Sequence, residues 1–393
     1  MSRPTKAMRV LALSALLAST AMSGAYAQVA DQAAERLKVL MEQQGTTLSW
    51  DSVDVDGDDA VLVGVQVEAG GQTESLGDLA MNGISETDDG YLIDEVLFDS
   101  LSFGDDDGSL AIEGVEMSGV LLPNDDKLDQ FGGTVFYETA EVASVVFTQG
   151  DNEIASMENL FTEMTAPVDG EPMEYSGSVE TFSVDLSIVQ DPQQAAIIKA
   201  LGYEQLSGSL GFAGDWQPAD GQFKLSQFDL AVDDAGTLGI TVDLGGYTPQ
   251  FLASLRDLQM QMAANPEGDN QAQGLAMLGL MQQLTFNSTE ISFKDDSLTN
   301  KVLEFVANSQ GAKPADVANQ AKAVIPFAMG QLGNPDLTMQ ATQAVSAYLD
   351  NPQSLRIAAV PPSPVPFALI AAAAMSAPAE LTKTLGVTVT AND

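Results

Sequence analysis

Two periods of hydrophobic and polar residues alternate along this chain, and the switch between them divides it. Residues 28–45 have helical spacing: Ala33, Leu37, Leu40 and Met41 share one face, Glu35, Lys38 and Glu42 fall between, and Gly45 stops the run. From there to about residue 190 the period drops to two. Leu48–Val55 and Ala60–Val67 read as strands around the turn Asp56-Gly57-Asp58-Asp59. The same alternation marks Leu79–Ile84, Tyr91–Phe103, Ser109–Leu122, Thr134–Thr148 and Glu174–Ile188, with Asp88-Asp89-Gly90 and Asp105-Asp106-Asp107-Gly108 as further turns. Asp bonds its own turn backbone and Gly supplies positive φ, so the segment predicts an antiparallel β-meander. One face of such a sheet is wet and the other covered.

Near Gln190 the texture changes. Asp191-Pro192 opens a helix that Gly202 closes, and a β block over 206–246 follows, with Phe212, Phe223, Leu225, Phe228 and Leu230 alternating. Thr248 caps a helix from Pro249 to about Ala264, Asn265-Pro266-Glu267-Gly268 breaks it, and a second helix over 271–283 completes a helical hairpin. A strand at Leu284–Phe293 follows, then a helix capped by Asp296 or Ser297 and running through Asn308. Helices at 314–332 and 336–350, a strand at Ser354–Val360, a stiff Pro361–Pro366 linker, helical segments at 368–376 and 380–385, and a strand at Val387–Thr390 complete the chain. The expected fold class is α+β: an N-terminal antiparallel β-meander followed by a mixed helix/strand C-terminal half. The expected division is 1–27, an acidic meander domain over 28–190, and an α+β domain over 191–393 carrying the hairpin 249–284.

The first 27 residues have the three parts of a secretory signal: basic Arg3, Lys6 and Arg9, an apolar run from Val10 to Ser23, and the small-x-small Ala25-Tyr26-Ala27. Cleavage is expected after Ala27, giving a periplasmic chain from Gln28. With no Cys anywhere, neither a disulfide nor an acylated-cysteine anchor is available. The longest later apolar stretch, Pro364 to Met375, is about 18 Å long as a helix, too short for a bilayer of about 30 Å. No integral membrane span is therefore expected after signal cleavage.

Charge adds the next constraint. The formal net charge of −41 becomes −44 once the three basic signal residues are removed. Residues 28–190 carry 36 Asp/Glu against 3 Lys/Arg, whereas 191–393 carry 20 against 9, so the meander holds most of the excess. Self-repulsion on that scale favours a soluble monomer. Nucleic acid is excluded as a partner, since neutralising phosphates needs clustered Lys and Arg.

The catalytic inventory is thin. Without His or Cys, Ser-His and Cys-His nucleophiles, histidine acid–base chemistry and ordinary zinc sites are all ruled out. A carboxylate pair of the glycosidase kind remains as one alternative, but no pair stands in an aromatic context. The acidic turns suggest calcium, yet counting Gly57 as position 6 of an EF-hand loop puts Val63 where the bidentate Glu belongs. No metal ligands and no cofactor are assigned. Gly208, Gly211 and Gly214 lack phosphate-loop spacing and read as glycines that ease a strand bend. Asn287-Ser288-Thr289 is a glycosylation sequon by pattern. The hairpin supplies the binding candidates: Phe251, Leu255, Met260, Met277 and Met281, an adaptable methionine-rich surface suited to lipids or partner peptides.

The closing segment, Leu349-Asp-Asn-Pro352-Gln-Ser-Leu355-Arg-Ile357 with Pro364-Val-Pro366 and Leu385-Gly-Val-Thr-Val-Thr-Ala-Asn392, resembles uncharacterised exported proteins of alphaproteobacteria. The meander resembles, more loosely, the strand-rich parts of AsmA and YdgA-type envelope proteins. That resemblance implies envelope or lipid-related work and carries no functional residues across. The expectation is a non-enzymatic periplasmic protein binding an apolar, lipid-like ligand or an envelope protein partner. The alternatives are an acidic cation-binding or structural module and, behind it, a carboxylate-based hydrolase.

Overall fold

The structure is a computed structural model and describes residues 26–69, 72–105, 108–128, 135–150, 152–166, 171–264, 270–330 and 332–393. The basic and apolar parts of the signal-like segment, Asp106 and Asp107 of one acidic turn, and the hairpin break at 265–268 lie outside the described residues. The protein is strand-rich with helices. It divides into two compact units, Met1–Asp151 and Asn152–Asp393.

Unit 1 begins with helix α1 over 26–43, followed by β1 (Thr46–Ser49), β2 (Ser52–Asp56), β3 (Asp59–Ala69), β4 (Gln72–Glu86), β5 (Gly90–Asp105), β6 (Gly108–Pro123) and β7 (Thr139–Gln149). The strands pair antiparallel as the meander β1-β3-β4-β5-β6-β7. The single strand expected over Leu48–Val55 is two. β1 pairs with the far end of β3 and β2 with its near end, and the chain breaks between them at Trp50-Asp51.

The strict period of two also needs correction. Along β4 the buried apolar positions are Leu76, Leu79, Met81 and Ile84. Along β6 the buried Val115, Val120 and Leu122 and the half-buried Leu110, Ile112 and Met117 alternate intervals of two and three, with Leu121 buried as well near the strand end. Positive-φ glycines sit inside the three-residue intervals: Gly64 (φ 66°) on β3, Gly77 (φ 80°) and Gly83 (φ 68°) on β4, Gly114 (φ 62°) and Gly119 (φ 57°) on β6. A left-handed residue adds one position without changing the face that follows. Beside Gly64 and Gly77 the register shifts, whereas at Gly83, Gly114 and Gly119 the partner strand steps too, giving matched bulges with no net shift.

These bulges explain part of the acidity. The Gly64 amide donates to Asp78 and the Gly83 amide to Asp59, each at 2.9 Å. A Cβ on Gly64 would stand 2.7 Å from the Asp51 carboxylate, and one on Gly83 2.5 Å from that of Asp94. Carboxylates thus cover the glycines and take up amides that the ladder leaves free, so this charge is not merely a solvated face.

The opposite face forms the core of unit 1. Leu62, Val65, Met81, Ile93 and Leu122 are fully buried, and α1 lays Ala30, Ala33, Ala34 and Leu40 over them. The alanines let the helix axis approach the sheet closely. Each large side chain so buried contributes about 1.5–3 kcal/mol, more than the exposed Arg36–Asp125 and Lys127–Asp89 pairs at about 0–1 kcal/mol each.

Unit 2 contains β8 (Asn152–Met164), β9 (Met173–Asp185), α2 (Pro192–Leu201), β10 (Gln205–Gln217), β11 (Gln222–Val232), β12 (Gly236–Gly245), α3 (Pro249–Ala264), α4 (Asn270–Met281), β13 (Thr285–Asp295), α5 (Leu298–Gln310), α6 (Pro314–Gly330), α7 (Pro335–Asp350), β14 (Ser354–Ala359), β15 (Val365–Pro366), α8 (Phe367–Ser376), α9 (Pro378–Thr384) and β16 (Val387–Ala391). The strand order is β8-β9-β10-β11-β12-β13-β14-β16, antiparallel throughout, with β15 beside β13. The meander therefore continues past residue 190, and helices are inserted between strands that remain neighbours.

β8 has no counterpart in the sequence expectation. Asn159 takes φ 51° between the pairs Glu158↔Thr181 and Leu160↔Val179, and this left-handed residue interrupts the alternation without shifting the register. α2 matches its signals: Asp191 accepts from the Gln193 and Gln194 amides at 2.9 Å, and Gly202 closes it at φ 77°. α5 is capped differently from expectation. Asp295, at the end of β13, accepts from the Thr299 amide at 2.8 Å, while Ser297 makes no side-chain cap bond.

Candidate functional site

An apolar space in unit 1 lies between α1 and the sheet. It is a cavity of about 340 Å³, roofed by Leu37 and Met41 of α1 and by Gln44 just past its end. Leu48, Val67, Leu76, Leu79, Ile93, Val96, Phe98, Leu101, Met117, Val120 and Leu122 form its floor from five strands, with Val135 and Tyr137 beside them. Among the described residues, no charged side chain lines it. The bulges produce this lining, because each keeps the next apolar residue of a long strand on the helix-facing side.

The hairpin candidates are arranged differently. α3 and α4 pack against each other, and the five residues differ in exposure. Phe251 is buried, with its ring 5.6 Å from that of Tyr247. That pair belongs to an aromatic cluster in which Tyr247 lies 5.3 Å from Phe223 and Phe223 stacks on Tyr175 at 5.9 Å. Trp216 joins it by donating from Nε1 to the Tyr247 carbonyl at 2.7 Å. Leu255 and Met281 are half-buried, whereas Met260 (54%) and Met277 (36%) are exposed. None of the five lines the cavity under α1.

The aromatic cluster has a chemical consequence. Burial, and then the nearby Asp215 carboxylate and Tyr247, push the Tyr175 phenol up to about 12. Its hydroxyl donates to the Lys224 carbonyl at 2.8 Å, so it is a structural donor across the sheet. Two of the spaced glycines also have a structural role: a Cβ on Gly208 would strike the Phe182 ring, and one on Gly214 the Tyr175 ring. They are flat seats for aromatic rings from the neighbouring strand, as well as strand residues.

Unit 2 also presents apolar residues in cross-strand register: Leu210↔Leu230, Phe212↔Phe228, Leu238↔Phe293 and Ile291↔Ile357. α7 covers one end, packing Leu337, Ala341 and Ala344 on Val389 with Leu355, Val387 and Ala391 around them. Beyond that cover Ile291 and Ile357 are 47% and 46% exposed.

Among the described residues, no group of three or more acidic side chains is placed to hold a metal ion. The sequon asparagine stands in β13, where its Nδ2 donates to Asp243 at 2.7 Å and its Oδ1 is buried without a hydrogen-bond partner among the described residues. That side chain is committed to the sheet and unavailable for glycosylation in the folded chain. No described helix is long and apolar enough to cross a membrane.

Sequence reasoning missed the cavity because it treated the meander's covered face as filled. The available signal was Leu37 and Met41 on α1 together with the two-and-three stepping of the strands.

Residues 229–392 match the model of a family described as an uncharacterized protein, a span within unit 2 and less than half of the chain. No curated protein matches the chain.

Proposed function

We propose that this is a non-enzymatic, exported envelope protein that binds an apolar, lipid-like ligand between α1 and the sheet of unit 1. The observation that carries the reading is the cavity of about 340 Å³ whose described lining holds no charged side chain. Ligand sites are concave, mostly apolar and about 300–1,000 Å³ in size, and an apolar lining favours apolar occupants. The absence of His and Cys from the sequence supports the non-enzymatic part, because it removes the commonest general base and nucleophile. The signal-like first 27 residues support export to the periplasm with cleavage after Ala27, and the loose resemblance to AsmA and YdgA-type proteins supports an envelope setting. The exposed Ile291 and Ile357 on the face of the unit 2 sheet support contact with an envelope partner.

Native mass spectrometry of the gently purified protein tests the reading. A co-purifying apolar species, lost on delipidation and regained on incubation with envelope lipid extract, is the expected result. A protein that carries and takes up no lipid overturns it.

A further inference from the structure

We infer that the cavity under α1 accepts one acyl chain of a lipid whose head group is uncharged, such as a monoacylglycerol. This rests on the apolar-ligand reading and narrows it. Size is the first argument. At about 340 Å³ the space lies near the lower limit of the range for small-molecule sites, about 300–1,000 Å³, and suits one chain better than the two of a phospholipid.

Chemistry at the lining is the second. Among the described residues, only Gln44 and Tyr137 bring polar side-chain groups to the cavity, and both are neutral. A carboxylate or phosphate held at that position gains no cation from the lining, whereas neutral hydroxyl and ester groups need none.

The disposition of cations is the third. Residues 28–151 contain 28 Asp/Glu and three Lys/Arg, and all three bases are engaged. Arg36 holds the Asp125 carboxylate at 2.7 Å and the Pro123 carbonyl. Lys127 holds Asp89 at 3.0 Å, and the Lys38 ammonium lies 5.8 Å over the Trp50 ring. An anionic amphiphile therefore approaches a strongly negative unit whose bases already have partners.

The test uses the purified full chain and two ligands with the same chain length, monolauroylglycerol and laurate, at a pH where laurate is ionised. Displacement of a neutral apolar fluorophore is read at low ionic strength and again near physiological salt. The expected result is binding of monolauroylglycerol at least ~10-fold tighter than laurate at low salt, with the gap narrowing as salt screens the field. Gln44→Lys, a change at an exposed position, is expected to strengthen laurate binding selectively. Val96→Phe, which fills the cavity, is expected to abolish binding of both; Val120→Phe is the second filling variant should the first fail to fold. Laurate binding as tightly as monolauroylglycerol, or either folded filling variant binding normally, overturns the inference. If neither probe binds but native mass spectrometry finds a two-chain lipid, this inference fails and the broader reading stands. If no apolar species binds, both fail.

Discussion

The main-chain amide of Gly64 on β3 donates to the Asp78 carboxylate on β4 at 2.9 Å, and Gly83 on β4 returns the arrangement to Asp59 on β3. Each glycine is left-handed, so each carries an amide that has left the regular ladder. The two carboxylates therefore stabilise the bulges that keep apolar residues facing α1. Both bonds are exposed to solvent, which limits their value. Asp78→Ala and Asp59→Ala are each expected to cost about 0.5–1.5 kcal/mol in urea denaturation, with Asn restoring most of it because it keeps an acceptor oxygen. No loss in either alanine variant would remove the structural role assigned to these acids.

Much of the fold is written in local signals, and the exceptions have identifiable causes. Asp191-Pro192 with Gly202, and Thr248 with Pro249, place α2 and α3 correctly because caps act over a few residues. β8 is hidden because the left-handed Asn159 interrupts its alternation in mid-course. The sheet-wide effect of the glycines is equally invisible to a period-two reading, although Leu76, Leu79, Met81 and Ile84 do spell the stepping. The candidate site was the least legible part. Methionines on α3 and α4 mark adaptable apolar surface, but only the three-dimensional pairing shows that Leu37 and Met41 roof an incompletely filled space.

The cap of α5 separates neighbouring acids that look equivalent in sequence. Asp295 accepts from the Thr299 amide at 2.8 Å, and its Oδ1 also lies 3.4 Å from the Tyr348 hydroxyl. Asp295→Ala is expected to cost about 0.5–2 kcal/mol, the usual range for losing a helix cap. Asp296→Ala, at a position whose side chain plays no part in the cap, is expected to stay within about 0.5 kcal/mol of wild type. Thermal melts of the two variants decide the assignment, and equal effects would refute it.

Helix α1 offers a contrast between packed and unpacked positions. Leu40 is 1% exposed within the core, while Met41, the next residue, faces the cavity. Leu40→Ala is expected to cost about 2–5 kcal/mol, since truncation both loses transfer energy and opens a void. Met41→Ala enlarges an existing space and is expected to cost clearly less, because its side chain has fewer partner atoms to lose. Bound ligand is expected to widen that difference, since Met41 then touches the occupant. Equal losses in the ligand-free protein would mean that the space under α1 is filled.

Tyr175 makes alkaline stability a readout of the aromatic cluster in unit 2. Burial raises its phenol from 10.0 to about 12, with Asp215 and Tyr247 adding to the effect. Below pH 10 the phenol is protonated in folded and unfolded chains alike, and its contribution is intact. Between about pH 10 and 12 the unfolded chain releases a proton that the folded chain retains, so stability falls as pH rises through this window. Spectrophotometric titration at the phenolate band is expected to show late ionisation that Tyr175→Phe removes. The same substitution is expected to flatten the loss of stability in that window, at the cost of the hydrogen bond to the Lys224 carbonyl at all lower pH values. A Tyr175→Phe variant with an unchanged alkaline slope would show that this phenol is ordinary and the cluster more open than its ring spacings imply.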